Sequence, residues 1–306
     1  MNRRGAAVDT SPWHRGEIAL QTRVGSAERM AEIGSRVIRD RLIEQHALFY
    51  PLLPFVVLGT VDPGGAPWAT LRAGPPGFLQ APDPFHLRVE AAAEPADPAE
   101  AGLTDGAAVG LLGIELATRR RNRLNGTVER DDDTGFTLAV EQSFGNCPRY
   151  IRPRPSEYLS PPGSRPAPAV SDRLDGRARA LLAAADTLFV ASYAESEGHR
   201  QVDVSHRGGP AGFVRVAADD TLTVPDYAGN RFFNTLGNLL TQPRAGIAIP
   251  DVATGDLLQI TGRTELVLDS PEIATFAGAE RLWRVMPERA VFRSAALPLR
   301  FGPAAA

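Results

Sequence analysis

The chain has 306 residues, enough for two domains of ordinary size, and its 43% hydrophobic and 23% charged residues are typical of a globular protein. A net charge of −3 gives no reason to expect a nucleic acid or an anionic membrane as a partner, because both favour a clear basic excess. All 33 basic residues are arginine, which excludes Schiff-base chemistry and a P-loop lysine; any bound phosphate must be held by arginine, hydroxyl or backbone N–H groups.

Cysteine and histidine are too sparse for common kinds of metal or redox site. Cys147 is the only cysteine, so an internal disulfide, an iron–sulfur cluster and a cysteine-rich zinc site are excluded. The five histidines lack the spacing of metal sites, and we expect no metal. Residues 1–17 contain no apolar core of the kind found in signal peptides, and the most apolar stretch, residues 48–59, is too short to span a bilayer. We therefore expect a cytoplasmic protein without a membrane partner.

The N-terminal half divides into a helical region and a β-domain. Residues 1–48 form an arm and an amphipathic helix, which is predicted over 26–48 with Ser26 as its cap. Residues 49–165 form the first β-domain, in which short apolar runs are separated by turn signals, and DPGG between two of these runs predicts a hairpin. An Ala/Pro/Glu-rich loop follows at 90–105, and a proline-rich linker ends the domain.

The C-terminal half, residues 166–306, opens with a helix predicted at 171–185 and capped by Ser171, and then repeats the first half. With an offset of 135, the matches are Arg72, Gly74, Pro75, Gly77, Phe78, Leu87 and Val89 with Arg207, Gly209, Pro210, Gly212, Phe213, Leu222 and Val224. With an offset of 136, they are Gly110, Ala117, Thr118 and Gly126 with Gly246, Ala253, Thr254 and Gly262. A repeat this long indicates a duplicated domain, and short strands with Gly/Pro turns predict small barrels that have no sheet edges.

The segment VDVSHRGG carries the first candidate ligand-binding residues. Its alternation of apolar and polar residues places Ser205 and Arg207 at a strand end. The glycines that follow, beginning at Gly208, let a ligand approach the backbone closely. The simpler alternative is that Arg207 is a surface arginine and that the glycines serve only a turn.

The segment PDYAGNRFFNTLGNLL carries the second group. It places Asn230 at or next to a helix N-cap and Arg231 in the first turn, with Asn234 and Thr235 in the next. A helix N-terminus beside an arginine is suited to a phosphate group. The alternative is that Asn230 caps the helix and no ligand binds.

Two further segments leave their role open. The run TRRRNR at 118–123 is either a solvated charged face or a basic lining for a phosphate or nucleotide-like ligand between the two halves; the second interpretation is favoured because the matching segment TGDLLQ lacks these charges. Cys147 is more typical of a small buried residue than of a nucleophile, and its neighbours Asn146 and Arg149 are the stronger candidates.

In their order, the segments 199–216, 221–251 and 256–266 resemble the flavin-binding half of the pyridoxamine 5'-phosphate oxidase-like family. In that family a strand ends in a Ser/Arg/Gly turn, a second strand leads through a G-N-R-type turn into a helix, and the helix ends at x-Pro-Arg before the next strand. The segments TRRRNRLNG and QSFGNCPRYI are similar to segments of flavoproteins of the same group.

The resemblance implies a mainly β fold with flanking helices (α+β), in which two tandem split β-barrels form an intramolecular pseudo-dimer. It also implies FMN between them, held mainly by residues 166–306. The cofactor-binding residues expected on this basis are Asn146, Arg149, Asp203, Ser205, His206, Arg207, Gly208, Asp226, Asn230, Arg231, Asn234 and Thr235. No residue is assigned a catalytic role.

The function implied is that of an FMN-dependent oxidoreductase. It would transfer hydride or electrons between a reduced donor, such as NAD(P)H or a redox partner protein, and a small organic acceptor. The alternative is a non-catalytic protein that binds flavin, haem or a deazaflavin, and whether two chains form a homodimer stays open. The chain departs from the true oxidases, which use lysine at the flavin phosphate and have a basic pair where Asn234 and Thr235 stand and a glutamine near Leu257. These departures argue against pyridoxamine phosphate as the substrate.

Overall fold

The computed structural model describes residues 11–132, 134–160, 164–196 and 198–304. Three helices precede the first sheet: α1 (Arg15–Arg23), α2 (Ala27–Val37) and α3 (Glu44–Ala47). The first sheet contains β1 (Phe55–Val61), β2 (Pro67–Ala73), β3 (Leu79–Asp83), β4 (His86–Val89), β5 (Ala108–Glu115), β6 (Arg120–Asp132) and β7 (Gly135–Gly145). Its antiparallel strands are hydrogen-bonded in the order β2-β1-β5-β6-β7-β4-β3. Short 3-10 turns lie at Tyr50–Leu52 and Pro98–Gly102.

The second half has the same order of elements. After β8 (Ser156–Tyr158), β9 (Ala169–Ser171) and α4 (Gly176–Ala184) come β10 (Thr187–Ser196), β11 (His199–Gly208), β12 (Arg215–Val216), β13 (Leu222–Tyr227), α5 (Asn234–Thr241), β14 (Arg244–Pro250), β15 (Leu257–Val267), β16 (Ala279–Arg293) and β17 (Leu299–Phe301). A 3-10 turn at Pro271–Thr275 precedes β16. The main path of this sheet is β11-β10-β14-β15-β16-β13-β12, with β9 added beside β16, and β8 pairs with β17. The predicted mainly β fold with two tandem copies is confirmed.

Three local predictions were wrong. The helix that starts after Ser26 ends at Val37, because Arg39 exchanges backbone hydrogen bonds with Ser143 of β7 and draws the chain into an extended conformation. The second-half helix begins at Gly176 with Asp175 as its cap, since Ser171 pairs with β16 as part of β9. The sheets are open paths whose end strands, β2 and β3 in the first, do not pair with each other, so closure does not remove the edges.

Strand β1 explains how the two halves join. All seven of its residues are buried, as its continuous apolar sequence FVVLGTV requires. Val56 and Leu58 pack into the core of the first half, while Phe55 and Val57 point to the opposite face of the strand. There they join a cluster that contains Phe189, Val204 and Ala248 of the second half. The two sheets therefore share an apolar interface within one chain.

Two glycines show that this interface has approximate two-fold symmetry. A Cβ at Gly110 would lie 2.8 Å from the carbonyl oxygen of Val202, and a Cβ at Gly246 would lie 2.3 Å from that of Pro67. Gly246 is the repeat equivalent of Gly110 at the offset of 136, and Val202 is the equivalent of Pro67 at the offset of 135. Each half therefore makes the same close backbone contact with the other, as in an isologous dimer.

Among the described residues, every helix falls short of the length and apolarity of a membrane span.

Candidate functional site

A cleft lies where the two halves meet and draws residues from both. The first half contributes strand β6 and the segment that follows β7, and the second half contributes β11, β13 and the loop that leads into α5. Six arginines and a single aspartate line it within the described chain: Arg121, Arg123, Arg149, Arg207, Arg231, Arg281 and Asp226. This excess of positive charge favours an anionic ligand.

Arg123 links the two halves beneath the cleft. Its guanidinium lies 2.8 Å from the carboxylate of Asp203 and donates a hydrogen bond to the Ser205 hydroxyl. Asp203 also accepts hydrogen bonds from Asn125 at 2.9 Å and Asn238 at 3.0 Å. Asp203 is buried outside the lining of the cleft, where it serves as the counter-charge of Arg123.

Arg281 pairs with both Asp226 and Glu280, but the remaining cleft arginines are incompletely neutralised. The Asp226 carboxylate lies 3.0 Å from Arg281 but 3.9 Å from Arg207. Arg121 has no carboxylate partner among the described residues and donates to the backbone carbonyl of Cys147, with Nε at 2.7 Å. Burial, together with the positive charges of Arg207 and Arg123, lowers the pKa of Arg121 to about 10. Such crowding of cations is relieved when an anion binds.

Unpartnered polar atoms in the cleft also favour a bound ligand. Buried atoms of the cleft that have no hydrogen-bond partner among the described residues are Arg123 Nε, Arg207 Nε, Thr235 Oγ1 and both ring nitrogens of His206. Buried polar groups are normally satisfied, so these atoms are available to hydrogen-bond a polar ligand in the cleft. Burial and the charges of Arg121 and Arg207 hold the pKa of His206 well below its ordinary value, and the imidazole is neutral at physiological pH.

The loop at the mouth of the cleft differs from its prediction. Helix α5 begins at Asn234, and its N-cap residue is Phe233 in a left-handed conformation (φ 62°). Asn230 therefore is not a helix cap, and its side chain accepts a hydrogen bond from Phe232 N at 3.1 Å instead. Arg231, with φ 63°, lies before the helix and not in its first turn. It is exposed and makes no ion pair with any described residue.

Helix α1, which the sequence did not predict, explains the late start of α5. Gln21 donates to the Phe232 carbonyl at 3.3 Å, and Asn234 Nδ2 donates to Glu17 at 2.5 Å, so α1 bonds to both sides of the turn at Phe233. Burial, reinforced by the charge of Asp203, raises the pKa of Glu17 well above its ordinary value. Gly16 makes this close approach possible, because a Cβ there would lie 2.1 Å from the carbonyl oxygen of Gly237.

An aromatic wall separates the cleft from a second cavity. The rings of Tyr150 and Tyr227 stack with centroids 5.1 Å apart, and the Tyr150 hydroxyl donates to the Ala228 carbonyl at 2.9 Å. Both tyrosines also line an adjoining cavity of about 570 Å³, whose apolar side chains include Phe213 and Phe276. The cleft itself has a volume of about 110 Å³, so a ligand that combines a phosphate with a planar ring would place its phosphate at the arginines and its ring along the aromatic wall, toward the larger cavity.

The structure brings together eleven of the twelve residues expected at the site: Asn146, Arg149, Ser205, His206, Arg207, Gly208, Asp226, Asn230, Arg231, Asn234 and Thr235. Arg121 and Arg123 come from the run that had two interpretations, and both reach the cleft. Sequence reasoning missed Tyr150, Tyr227 and Arg281. Tyr227 stood within the segment already singled out, whereas nothing local marks Arg281, which lies on β16 and reaches Asp226 across the sheet.

Several solved structures are similar to parts of the chain. A crystal structure of a putative pyridoxamine 5'-phosphate oxidase from Lactobacillus delbrueckii is 23% identical (TM-score 0.28), covering 35% of this chain and 95% of that one. HutZ, a haem storage protein from Vibrio cholerae, is 15% identical (TM-score 0.28; 40% and 95% covered), and a FAD-binding protein from Mesorhizobium loti is 12% identical (TM-score 0.29; 42% and 98% covered).

No curated protein matches the chain. The family model for pyridoxamine 5'-phosphate oxidase, by contrast, matches it twice, over residues 42–163 and 174–301, which together make up well over half of the sequence. The first match contains the first sheet, and the second match contains the second sheet except for β9. The chain therefore belongs to the pyridoxamine 5'-phosphate oxidase family, with two copies of the family fold in tandem.

Proposed function

We propose that this protein binds FMN in the cleft between its two halves and acts as an FMN-dependent oxidoreductase. It would move hydride or electrons from a reduced donor, such as NAD(P)H or a redox partner protein, to a small organic acceptor. The observation that carries the proposal is the set of incompletely neutralised arginines beside an aromatic wall, in a chain of this family.

The phosphate end of FMN fits the arginines. Arg207 retains an unpartnered Nε, and Arg231 has no carboxylate partner at all among the described residues. The Ser205 hydroxyl and the unpartnered Thr235 hydroxyl are further hydrogen-bonding groups at the same site. Arginine binds phosphate with two parallel hydrogen bonds, so a chain without lysine loses no chemistry that phosphate binding needs.

The ring end of FMN fits the other side of the cleft. The stacked pair Tyr150 and Tyr227 offers a flat apolar surface, and the adjoining cavity of about 570 Å³ has room for the ring next to that surface. His206 is neutral, and each of its nitrogens is free of a protein partner, so it can donate or accept one hydrogen bond at the polar edge of a ring.

In this proposal the residues of the chain position the reactants. When bound, FMN supplies the redox chemistry itself, which is why no acid–base pair of side chains is required. Arg121, Arg123 and Arg207 place positive charge near the ligand and stabilise negative charge on it. The α1 helix holds the loop at Phe232, and thereby keeps Arg231 at the mouth of the cleft.

The test is to purify the protein, record its absorption spectrum and identify the released cofactor by mass. We expect a flavin spectrum, FMN as the released compound, and bleaching of the flavin bands when NADH or NADPH is added without oxygen. A flavin that binds but is reduced neither by NADH or NADPH nor by a chemically reduced redox partner protein would contradict the oxidoreductase activity. A Soret band with no flavin would contradict FMN as the ligand and indicate haem.

A further inference from the structure

A cluster of buried ion pairs lies at the interface between the two halves of the chain, outside the cleft. Arg72 on β2 is 2% exposed and pairs with Asp97, and Asp97 is also within 2.9 Å of Arg293. Glu100 lies 2.7 Å from Arg72, and Glu94 pairs with Arg293. The three acidic residues belong to the loop at 90–105. We call this group the Asp97 cluster.

The Asp97 cluster is the symmetry mate of the cleft. Arg72 corresponds to Arg207 at the repeat offset of 135, and Thr70 corresponds to Ser205 at the same offset. Gln259 corresponds to Arg123 at the offset of 136, and like Arg123 it reaches the site from the other half of the chain.

Strand register supports the equivalence. Gly59 lies opposite Gly110 and Ala191 lies opposite Gly246, so β1 and β10 correspond at an offset of 132. At that offset Val56 corresponds to Leu188, and these two residues lie opposite Arg72 and Arg207. The strands that carry Arg123 and Gln259 are also paired in the same register, with Gly110 opposite Asn125 in one half and Gly246 opposite Thr261 in the other.

The Asp97 carboxylate contacts each of these three counterparts. It pairs with Arg72, accepts a hydrogen bond from the Thr70 hydroxyl at 2.5 Å, and accepts one from Gln259 Nε2 at 2.9 Å. Its side chain is completely buried. Burial would raise the pKa of Asp97, but the charges of Arg72 and Arg293 outweigh burial and lower the pKa to about 2, so the carboxylate is an anion at all ordinary pH values.

We propose that the duplication left this chain with two anion sites, and that the chain fills the second one permanently with its own Asp97 carboxylate. Removing that carboxylate opens a new site for a small oxyanion at Arg72, Thr70 and Gln259. By the same correspondence, the anion of an external ligand in the cleft lies against Arg207, Ser205 and Arg123. The proposal that Asp97 fills the second anion site does not depend on whether the cleft binds FMN.

Chemical rescue tests the proposal without any flavin. Asp97→Ala removes the completely buried carboxylate that Arg72 and Arg293 share and leaves them only the partly exposed Glu100 and Glu94 as partners. We expect its melting temperature in sodium chloride to fall by on the order of 10 °C. Sodium formate replaces the missing group, and at ~100 mM, against an assumed Kd of ~10 mM, it should raise the melting temperature of the variant by roughly 3–5 °C over chloride of equal ionic strength.

Asp220→Ala is the matched control. Asp220 is also a buried aspartate that pairs with two arginines, Arg173 at 2.6 Å and Arg179, but it belongs to neither site. Arg173 and Arg179 are 68% and 35% exposed, so water solvates them once the aspartate is removed, and the control, like the parent, should melt at the same temperature in formate as in chloride. If Asp97→Ala does not fold in chloride, refolding from urea in formate and in chloride is compared. Recovery in formate alone supports the proposal, while equal behaviour in the two salts, in either experiment, overturns it.

Discussion

Arg207 and Arg231 differ in environment but serve the same proposed ligand. Arg207 lies at the strand end of β11 with an unpartnered Nε, and Arg231 is exposed in the loop before α5. A charge-assisted hydrogen bond to phosphate contributes about 1.5–3 kcal/mol. We expect Arg207→Ala and Arg231→Ala each to weaken FMN binding by roughly ten- to a hundredfold. The measurement is titration of flavin fluorescence.

Riboflavin and a distant arginine supply the controls for this prediction. Riboflavin has no phosphate, so the Arg231→Ala variant should bind it almost as tightly as the parent does. Arg263 is 74% exposed, pairs with Glu288 at 2.9 Å and lies outside the cleft, so Arg263→Ala should bind FMN like the parent. Parent-like FMN affinity in both cleft variants would show that the phosphate binds elsewhere.

His46 makes the stability of the protein depend on pH. Its Nδ1 lies 2.9 Å from the Ser143 hydroxyl, and burial, with the charges of Arg39 and Arg120, lowers its pKa to about 4. In the unfolded chain a histidine has a pKa of about 6.5, so the unfolded state binds the proton first as the pH falls. The stability that neutral His46 contributes is therefore present above pH ~6.5 and is lost progressively between pH ~6.5 and ~4.

The check for His46 is urea unfolding of the parent and of His46→Asn at pH 7.5 and pH 5. We expect the parent to lose more free energy of unfolding between these two pH values than the variant, by about 1–2 kcal/mol. His206 is another buried histidine with a lowered pKa, but it is present in both proteins and cancels in the comparison. Equal losses in parent and variant would contradict the assignment to His46.

At the scale of elements, the contact between α1 and α5 controls the loop at the mouth of the cleft. A Cβ at Gly16 would lie 2.1 Å from the Gly237 carbonyl and 2.9 Å from a methyl of Thr241. Gly16→Ala must therefore push the two helices apart, which we expect to cost about 1–3 kcal/mol in the free energy of unfolding. It should also weaken FMN binding, since α1 holds the Phe232 carbonyl through Gln21.

Gly176→Ala is the control for this helix contact. Gly176 is the first residue of α4, and a Cβ there would meet nothing within 4 Å. Alanine at such a helical position should leave the stability within about 0.5 kcal/mol of the parent or raise it by up to about 1 kcal/mol. Urea unfolding of both variants decides the matter: if Gly16→Ala is as stable as Gly176→Ala, the close approach of α1 and α5 is not required.

At the scale of the whole molecule, the duplication predicts an unequal pair of sites. The second site is filled by Asp97, and its loop has only the 3-10 turn Pro98–Gly102 where the cleft has helix α5. We therefore expect one FMN per chain at saturation. Flavin absorbance after denaturation, divided by protein concentration from amino-acid analysis, gives this ratio, and a value near two would refute the closure of the second site.

The sequence alone determined the features that follow from composition, local pattern and repetition. The absence of lysine restricted phosphate binding to arginine and neutral donors, and the matched offsets of 135 and 136 predicted two copies of one β-fold. The segments around Ser205–Gly208 and Asn230–Thr235 were recognisable because their residues are close together in the chain. The turn at 62–65 likewise predicted the hairpin of β1 and β2.

Only the tertiary structure decided how these parts meet. Helix α5 starts at Asn234 because Glu17 and Gln21, more than 200 residues earlier, bond to the turn before it. The second site is filled, unlike the cleft, because the Asp97 carboxylate accepts a hydrogen bond there from Gln259, which lies 162 residues away in the other half of the chain. Contacts over such distances are selected by burial and charge neutralisation in the folded molecule, and no local pattern of residues encodes them.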